Sequence, residues 1–337
     1  MSMLTTYNHA RFDPLSQVGH YESYFQRANH PTEPRALWIR YTVFCPRSAP
    51  QDAQGELWFV YFDGVAGQHF VAKQNFGADV TVFDRNQFSA RIGGAVLEPG
   101  RLHGMATSGE GTARWDLRYS GGQDPLLFLP QKLYSAGFPK AKSLVGVPMC
   151  RYSGELDCGG RKVVIDNWLG SQNHNWGQRH TDAYAWGQVA GFDDRPDWFL
   201  ELATARVKLG PIWSPWFTPL VLRTAQGEWA LNTLGQSVRA HGSFTFFNWQ
   251  FASENRDVSI GGRIWAEPSD FVALTYRNPP GGVRHCLNSK LARCEITVSY
   301  KTGPRAGQSE TATTQHRAAF EILAQPTDPH GIALRVH

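Results

Sequence analysis

Short alternating runs, cut apart by turn residues, leave this chain few folds to choose from. In L-W-I-R-Y-T-V-F, Leu37, Ile39, Tyr41 and Val43 fall on one face, and in E-L-W-F-V-Y-F so do Leu57, Phe59 and Tyr61. T-A-R-W-D-L-R-Y separates Ala113, Trp115, Leu117 and Tyr119 from Thr112, Arg114, Asp116 and Arg118, the pattern of a half-buried antiparallel strand. D-F-V-A-L-T-Y and C-E-I-T-V-S-Y repeat it near the C-terminus. Between the runs stand F-D-G-V-A-G, Y-S-G-G-Q-D-P, A-Q-G-E and N-P-P-G-G, whose Gly, Pro, Asn and Asp supply turn geometry. No long amphipathic helix survives this punctuation, and only Q-H-R-A-A-F-E-I-L-A reads equally as a short helix or a final strand.

The chain is therefore expected to be all-β. At 337 residues one closed barrel would be unusually large, so two smaller antiparallel barrels or packed sheets are the economical arrangement. The turn-rich C-R-Y-S-G-E-L-D-C-G-G-R, followed by the fresh strand K-V-V-I-D-N-W, places the division near residue 160, giving units 1–160 and 161–337.

Composition narrows function by exclusion. A formal charge of +4 without a Lys/Arg run gives nucleic acid little to bind. No segment approaches a membrane span, and the start lacks a basic region leading into an apolar stretch, so the expected location is the cytoplasm. Five cysteines without a C-x-x-C pair read as reduced structural thiols there, although Cys286 and Cys294 are close enough in sequence to pair across a loop in an exported chain. Neither G-x-G-x-x-G, the phosphate-binding G-x-x-x-x-G-K-[ST] nor the G-x-S-x-G elbow occurs, so no nucleotide or other cofactor is expected.

The densest polar run is W-L-G-S-Q-N-H-N-W-G-Q-R-H-T-D-A-Y-A-W-G-Q, Trp168 to Gln188, bracketed by two Trp-Gly-Gln triplets. Alternation puts Tyr184, Trp186, Gln188 and Phe192 on one large face and Ala185, Gly187, Val189 and Gly191 on a small one. The same parity sets His174 and Trp176 opposite Asn173 and Asn175. With Q-R-H-T-D as the turn, residues 168–176 and 184–192 suggest the arms of a hairpin facing one interior. Buried amides and imidazoles need partners, so Asn173, His174, Asn175 and Gln188 are either a register-fixing network or a ligand-contact set. His174, His180 and Asp182 are metal-ligand types, but a turn separates the histidines and no metal is expected.

Charges inside apolar strands are the other clue. Arg40, Lys73, Glu201 and Arg223 each read as outward-facing and solvated. Were Glu201 to face an apolar cavity instead, desolvation would raise its pKa and make it a proton donor, with Asp182 and Asp63 as competing acids.

N-H-N-W-G, A-Y-A-W-G-Q and W-F-L-E-L resemble the two-lobed lipocalin-like superfamily of hydroxyneurosporene synthase (a carotenoid 1,2-hydratase), AttH-like proteins and lipocalin-like Diels-Alderases. The resemblance is best over residues 160–225 and implies two lipocalin-like β-barrels side by side, with a hydrophobic ligand at or between them. It further implies protonation of an isolated double bond by a carboxylic acid. The family's D-H-x-W-G carries Asp where this chain has Asn173, so Glu201 or Asp182 would have to supply the proton, with His174 as the third candidate catalytic group. Asn173, Asn175, Trp176, Tyr184, Trp186 and Gln188 are the candidate ligand contacts. Two functions stay open: proton transfer, hydration or cyclisation of an isoprenoid or polyketide-like hydrophobe, and non-catalytic carriage of an apolar metabolite. A structural module that binds nothing is a third.

Overall fold

A computed structural model describes residues 3–16 and 18–336. The first sheet is built from β1 (His20–Asn29), β2 (Arg35–Cys45), β3 (Gln54–Asp63), β4 (Gln68–Gly77), β5 (Thr81–Phe83), β6 (Ala90–Ile92), β7 (Ala95–Glu98), β8 (Arg101–Ser108), β9 (Gly111–Gly121), β10 (Ala141–Cys158) and β11 (Arg161–Gly177). Every neighbouring pair is antiparallel, in the order 4-3-2-1-11-10-9-8-7-6-5. The sheet curls into a nearly closed barrel: Gln74 on β4 accepts a hydrogen bond from the Thr107 amide on β8 at 2.9 Å, and Ser108 donates to the Val71 carbonyl at 3.1 Å.

The second sheet takes β12 (Ala183–Ala190), β13 (Phe199–Arg206), β16 (Leu220–Thr224), β17 (Gly227–Leu231), β18 (His241–Thr245), β19 (Asn248–Glu254), β20 (Val258–Trp265), β21 (Val272–Arg277), β22 (Val283–Tyr300), β23 (Ser309–Ala324) and β24 (Leu334–Val336). A two-stranded ribbon, β14 (Lys208–Leu209) with β15 (Ile212–Trp213), and a single α-helical turn and a half, α1 (Leu234–Arg239), lie outside it. The ambiguous segment near the C-terminus is strand β23, paired with β12 and β22. The changeover between sheets falls between Gly177 and Ala183; the Gly159–Gly160 turn is a hairpin within the first sheet. Among the described residues no helix is long and apolar enough to cross a membrane.

Alternation decides what each face meets. Leu37, Ile39, Tyr41 and Val43 enter the first barrel's core with Leu57, Phe59, Trp115 and Leu117, as their parity requires. The opposite face of the same strands is not solvated. Trp38, Trp58, Val60 and Phe62 pack against Val272, Leu274 and Tyr276 of the second sheet. This corrects the reading of the strand charges. Arg40 does point out of its barrel, but the other lobe covers it: its guanidinium donates to Ser23 at 2.7 Å and lies over the Tyr276 ring at 4.6 Å. Lys73 sits over Trp58 at 4.2 Å, its side chain only 5 % exposed.

Gly187 explains the small face of β12. A Cβ there would lie 2.5 Å from Ile264 Cδ1 and 2.9 Å from Trp249 Cζ3, both inside the second core. Gly187→Ala is therefore expected to destabilise the protein by ~1–3 kcal/mol through overpacking, read as a lowered urea midpoint at unchanged slope. Phe192 departs from its expected partners: β12 ends at Ala190, Gly191 takes φ +74°, and the chain turns Phe192 into the second core beside Trp198.

Candidate active site

The polar run does not form a hairpin. β11 pairs with β1 and β10, β12 pairs with β13 and β23, and the two strands belong to different sheets. They face each other across the lobe interface instead, and their side chains make the bond that their backbones do not. Gln188 Oε1 accepts from Ser171 Oγ at 2.6 Å and from Arg27 at 3.2 Å, which fixes the amide's orientation. Its Nε2 is then left to donate, at 2.7 Å to Asn173 Oδ1 and at 2.7 Å to Glu201 Oε2. Asn173 is held in turn by its donation to Ser171 Oγ at 2.9 Å. Asn173 and Gln188 thus satisfy each other's buried amides across the lobe interface, and that network ends on a carboxyl group.

Glu201 borders an interlobe cavity of about 240 Å³. Phe25, Phe128, Leu144, Ala203 and Phe217 give the cavity its apolar wall, while Asn173, Asn175, Tyr184 and Trp186 add polar edges. The other Glu201 oxygen accepts from Trp186 Nε1 at 2.7 Å. Burial pushes the carboxyl up from 4.5 to about 7; the Trp186 and Gln188 hydrogen bonds and the more distant Arg27 charge hold it from going higher, and Glu321 adds to the rise. Both protein partners of Glu201 are donors at the atoms concerned. A proton on neutral Glu201 is consequently spent on neither of them.

A second carboxyl, Glu321, borders the same cavity with different partners. Lys290 Nζ meets its Oε1 at 2.8 Å, and Asn288 donates to the same oxygen at 3.0 Å. Glu321 has a cation at contact distance while Glu201 has only neutral donors.

The other expected residues divide clearly. His174 borders the cavity, but its ring packs toward the first barrel on Tyr24 and Trp176, at 4.3 and 4.5 Å between centroids. Its Nε2 lies 2.8 Å from Glu22 Oε1. Burial alone would raise Glu22, yet hydrogen bonds from His174 and His20 pull it down to about 2, and the Arg11 and Phe12 amides also donate to it. An ionised Glu22 only accepts, so His174 carries its proton on Nε2, and burial keeps the imidazole neutral by lowering its pKa. Trp176 does not border the cavity; it packs with Tyr134 and Leu144. Asp182 does not border it either: Arg179 NH2 contacts its Oδ1 at 2.6 Å and the Lys208 amide donates to its Oδ2 at 2.8 Å, tying down the interlobe connection. Asp63 is likewise occupied, by Arg161 at 2.9 Å and Arg35 at 3.3 Å.

Glu321, Lys290 and Glu22 escaped the sequence. Glu321 carried the clue that marked Glu201, a charge inside the apolar run A-A-F-E-I-L-A. Among the described residues no group of His, Cys, Asp and Glu is placed to hold a metal ion, and the five cysteines are free and buried.

No family's sequence model matches the chain, and no curated protein matches it in sequence. Solved structures do match in fold. A protein assigned as AttH from Nitrosomonas europaea superposes with a TM-score of 0.52 at 12% identity, over 90% of this chain and 91% of that one. Kievitone hydratase from Nectria haematococca superposes with a TM-score of 0.56 at 9% identity, over 91% of this chain and 89% of that one. The chain thus shares its all-β fold, a nearly closed barrel beside a second large antiparallel sheet, with both proteins.

Proposed function

We propose that this protein is an enzyme that protonates a carbon–carbon double bond of a hydrophobic isoprenoid or polyketide-like molecule, leading to hydration or cyclisation in the interlobe cavity. The observation that carries the reading is Glu201: a carboxyl at the cavity wall, held by two neutral N–H donors and raised to about 7, so that it is substantially protonated near neutrality. The fold shared with a kievitone hydratase is consistent with it.

In this reading the ligand's apolar body displaces water from the cavity and sets the double bond against Glu201. The acid O–H breaks, its proton forms a C–H bond at one alkene carbon, and the other carbon becomes cationic. Tyr184 and Trp186, which border the cavity, offer π faces to that cation. Trp186 Nε1 and Gln188 Nε2 stabilise the carboxylate left behind, being already aimed at its oxygens. In hydration a water oxygen adds to the cation and its proton returns to Glu201. In cyclisation a second π bond of the substrate attacks and the loss of a neighbouring proton restores the acid. Asn175 borders the cavity and its buried Oδ1 has no hydrogen-bond partner among the described residues, which makes it an acceptor for that water or a substrate hydroxyl.

A carrier is the second reading, favoured by the fact that both Glu201 oxygens already have partners within the protein. The two are separated by recovering the ligand that co-purifies from the native host, using native mass spectrometry, and returning it to the protein in D2O. An enzyme is expected to yield a product with a new C–D bond, gaining the elements of water if hydrated and isomeric if cyclised. A ligand bound tightly and recovered unchanged, without deuterium at carbon, rejects the enzymatic reading.

A further inference from the structure

Arg206, at the end of β13, borders the same cavity, and while its backbone pairs with Ala183 its side chain makes no ion pair or hydrogen bond with any described residue. Its Nε is buried without a partner. The side chain is nevertheless held in place. The ribbon of β14 and β15 folds back so that Ser214 and Val207 exchange hydrogen bonds of 2.9 and 3.0 Å, bringing Trp213 and Trp216 onto the guanidinium at 4.2 and 4.4 Å from their ring centroids. Trp216 is itself braced edge-on by Phe244 at 5.5 Å. A half-buried guanidinium clamped on two indoles has lost rotamer freedom and much of its hydration, and other covered guanidinium groups of this protein do find a polar partner: Arg277 has Glu56, Arg223 has Glu228, Arg27 has the Arg317 carbonyl and Arg40 has the Ser23 hydroxyl.

The cavity's other charges leave Arg206 uncompensated. Of the two carboxyl groups that border it, Glu321 is taken by Lys290, and both Glu201 oxygens are engaged by Trp186 and Gln188. Lys142, the other bordering lysine or arginine, donates at 2.8 Å to the neutral Ala136 carbonyl. We infer that Arg206 is the anion-recognition residue of this cavity and that the ligand is an acidic amphiphile, whose planar oxyanion, a carboxylate or an enolate of like geometry, pairs with the Arg206 fork while its apolar body fills the interlobe space. The inference rests on the reading of the cavity as a hydrophobe's site. The terminal guanidinium nitrogens present parallel N–H donors, which match a planar oxyanion and give a neutral alcohol or hydrocarbon no equivalent partner. Specificity then comes from the head group and affinity from the tail. Trp213 and Trp216 are positioning residues, and Glu201 is left to act on the apolar part of the ligand.

Decanoate and 1-decanol, of equal chain length, serve as probes in calorimetric titrations of the full chain at pH 8. Decanoate is expected to bind roughly ten- to hundred-fold tighter than decanol, the range for a charge-assisted hydrogen-bonded pair, and added KCl should weaken decanoate alone. Arg206→Met keeps the stem on the indoles and removes the charge, so it should bring the ratio near one while leaving decanol affinity unchanged. Arg206→Lys keeps the charge without the fork and should fall between, which also serves if Arg206→Met does not fold. Equal binding of the two probes to the wild type, or a preference that survives in Arg206→Met or stands undiminished in Arg206→Lys, overturns the role of Arg206 while the cavity remains a hydrophobe's site. Binding of neither probe overturns both readings.

Discussion

Glu201→Gln is expected to lower turnover of the cavity's ligand by roughly two to four orders of magnitude while leaving its affinity nearly unchanged, because general acid catalysis carries about that much of a rate and the amide has the same shape. Wild-type kcat should be flat below pH 7 and fall about tenfold per unit above it, as the carboxyl raised to about 7 ionises. Single-turnover rates across pH 5–9 check both. Full activity in Glu201→Gln, or a wild-type rate that climbs with pH, removes Glu201 as the acid.

The same group makes a thermodynamic prediction that needs no substrate. A carboxyl whose folded pKa lies above its unfolded value binds more protons in the folded state between the two. Its contribution is therefore complete below about 4.5 and is lost as the pH rises through about 7. The shift corresponds to ~3 kcal/mol. Gln cannot titrate, but it pays elsewhere: its oxygen can accept from Trp186 or Gln188 while its NH2 faces the other donor. The absolute stability of Glu201→Gln thus mixes two effects. Its difference from wild type is the clean quantity, and it should shift in the variant's favour by ~3 kcal/mol between pH 4.5 and 8. Denaturant titrations at the two pH values measure it; a constant difference would mean that folding does not raise the Glu201 pKa.

Strand rhythm carried the fold because alternation is a local property. Ala113, Trp115, Leu117 and Tyr119 pack inward while Arg114, Asp116 and Arg118 point outward, as the period of two dictates. What alternation cannot say is what lies beyond the outward face. Arg40, Lys73 and Glu201 all point away from their own lobe's core, and the other lobe, paired with nothing in the local sequence, covers them. Their solvated reading failed at that step. Trp168 to Gln188 failed differently. Its parity is kept through Gln188, yet a five-residue link between two long strands carries the chain into another sheet where a hairpin turn is equally short. Proximity of Asn173, Gln188 and Glu201 survived that error because it depends on which faces meet rather than on which strands pair. Arg206 had no local signal; its lack of a partner is visible only once every neighbour is in place.

Glu22 supplies the largest expected loss of stability. It is fully buried inside the first barrel, where its carboxylate accepts from His174 Nε2 at 2.8 Å, the Arg11 amide at 2.7 Å and the Phe12 amide at 2.6 Å, with His20 at 3.2 Å. These donors come from β11, from the segment preceding β1 and from β1 itself. Removing the acceptor leaves several of them buried and unsatisfied, so Glu22→Ala is expected to cost ~3–5 kcal/mol. Here the linkage has the opposite sign to Glu201. A carboxyl pulled down to about 2 contributes stability that is complete above about 4.5 and is lost as pH falls toward 2, again ~3 kcal/mol. From these two glutamates together the wild type should be most stable near pH 4.5–5, losing stability on the acid side through Glu22 and on the basic side through Glu201. Denaturant midpoints for wild type, Glu22→Ala and Glu201→Gln across pH 3–8 test the pair: each variant should flatten only its own limb, and a variant that flattened the wrong limb, or neither, would show that the two carboxyls are not shifted in opposite directions by folding.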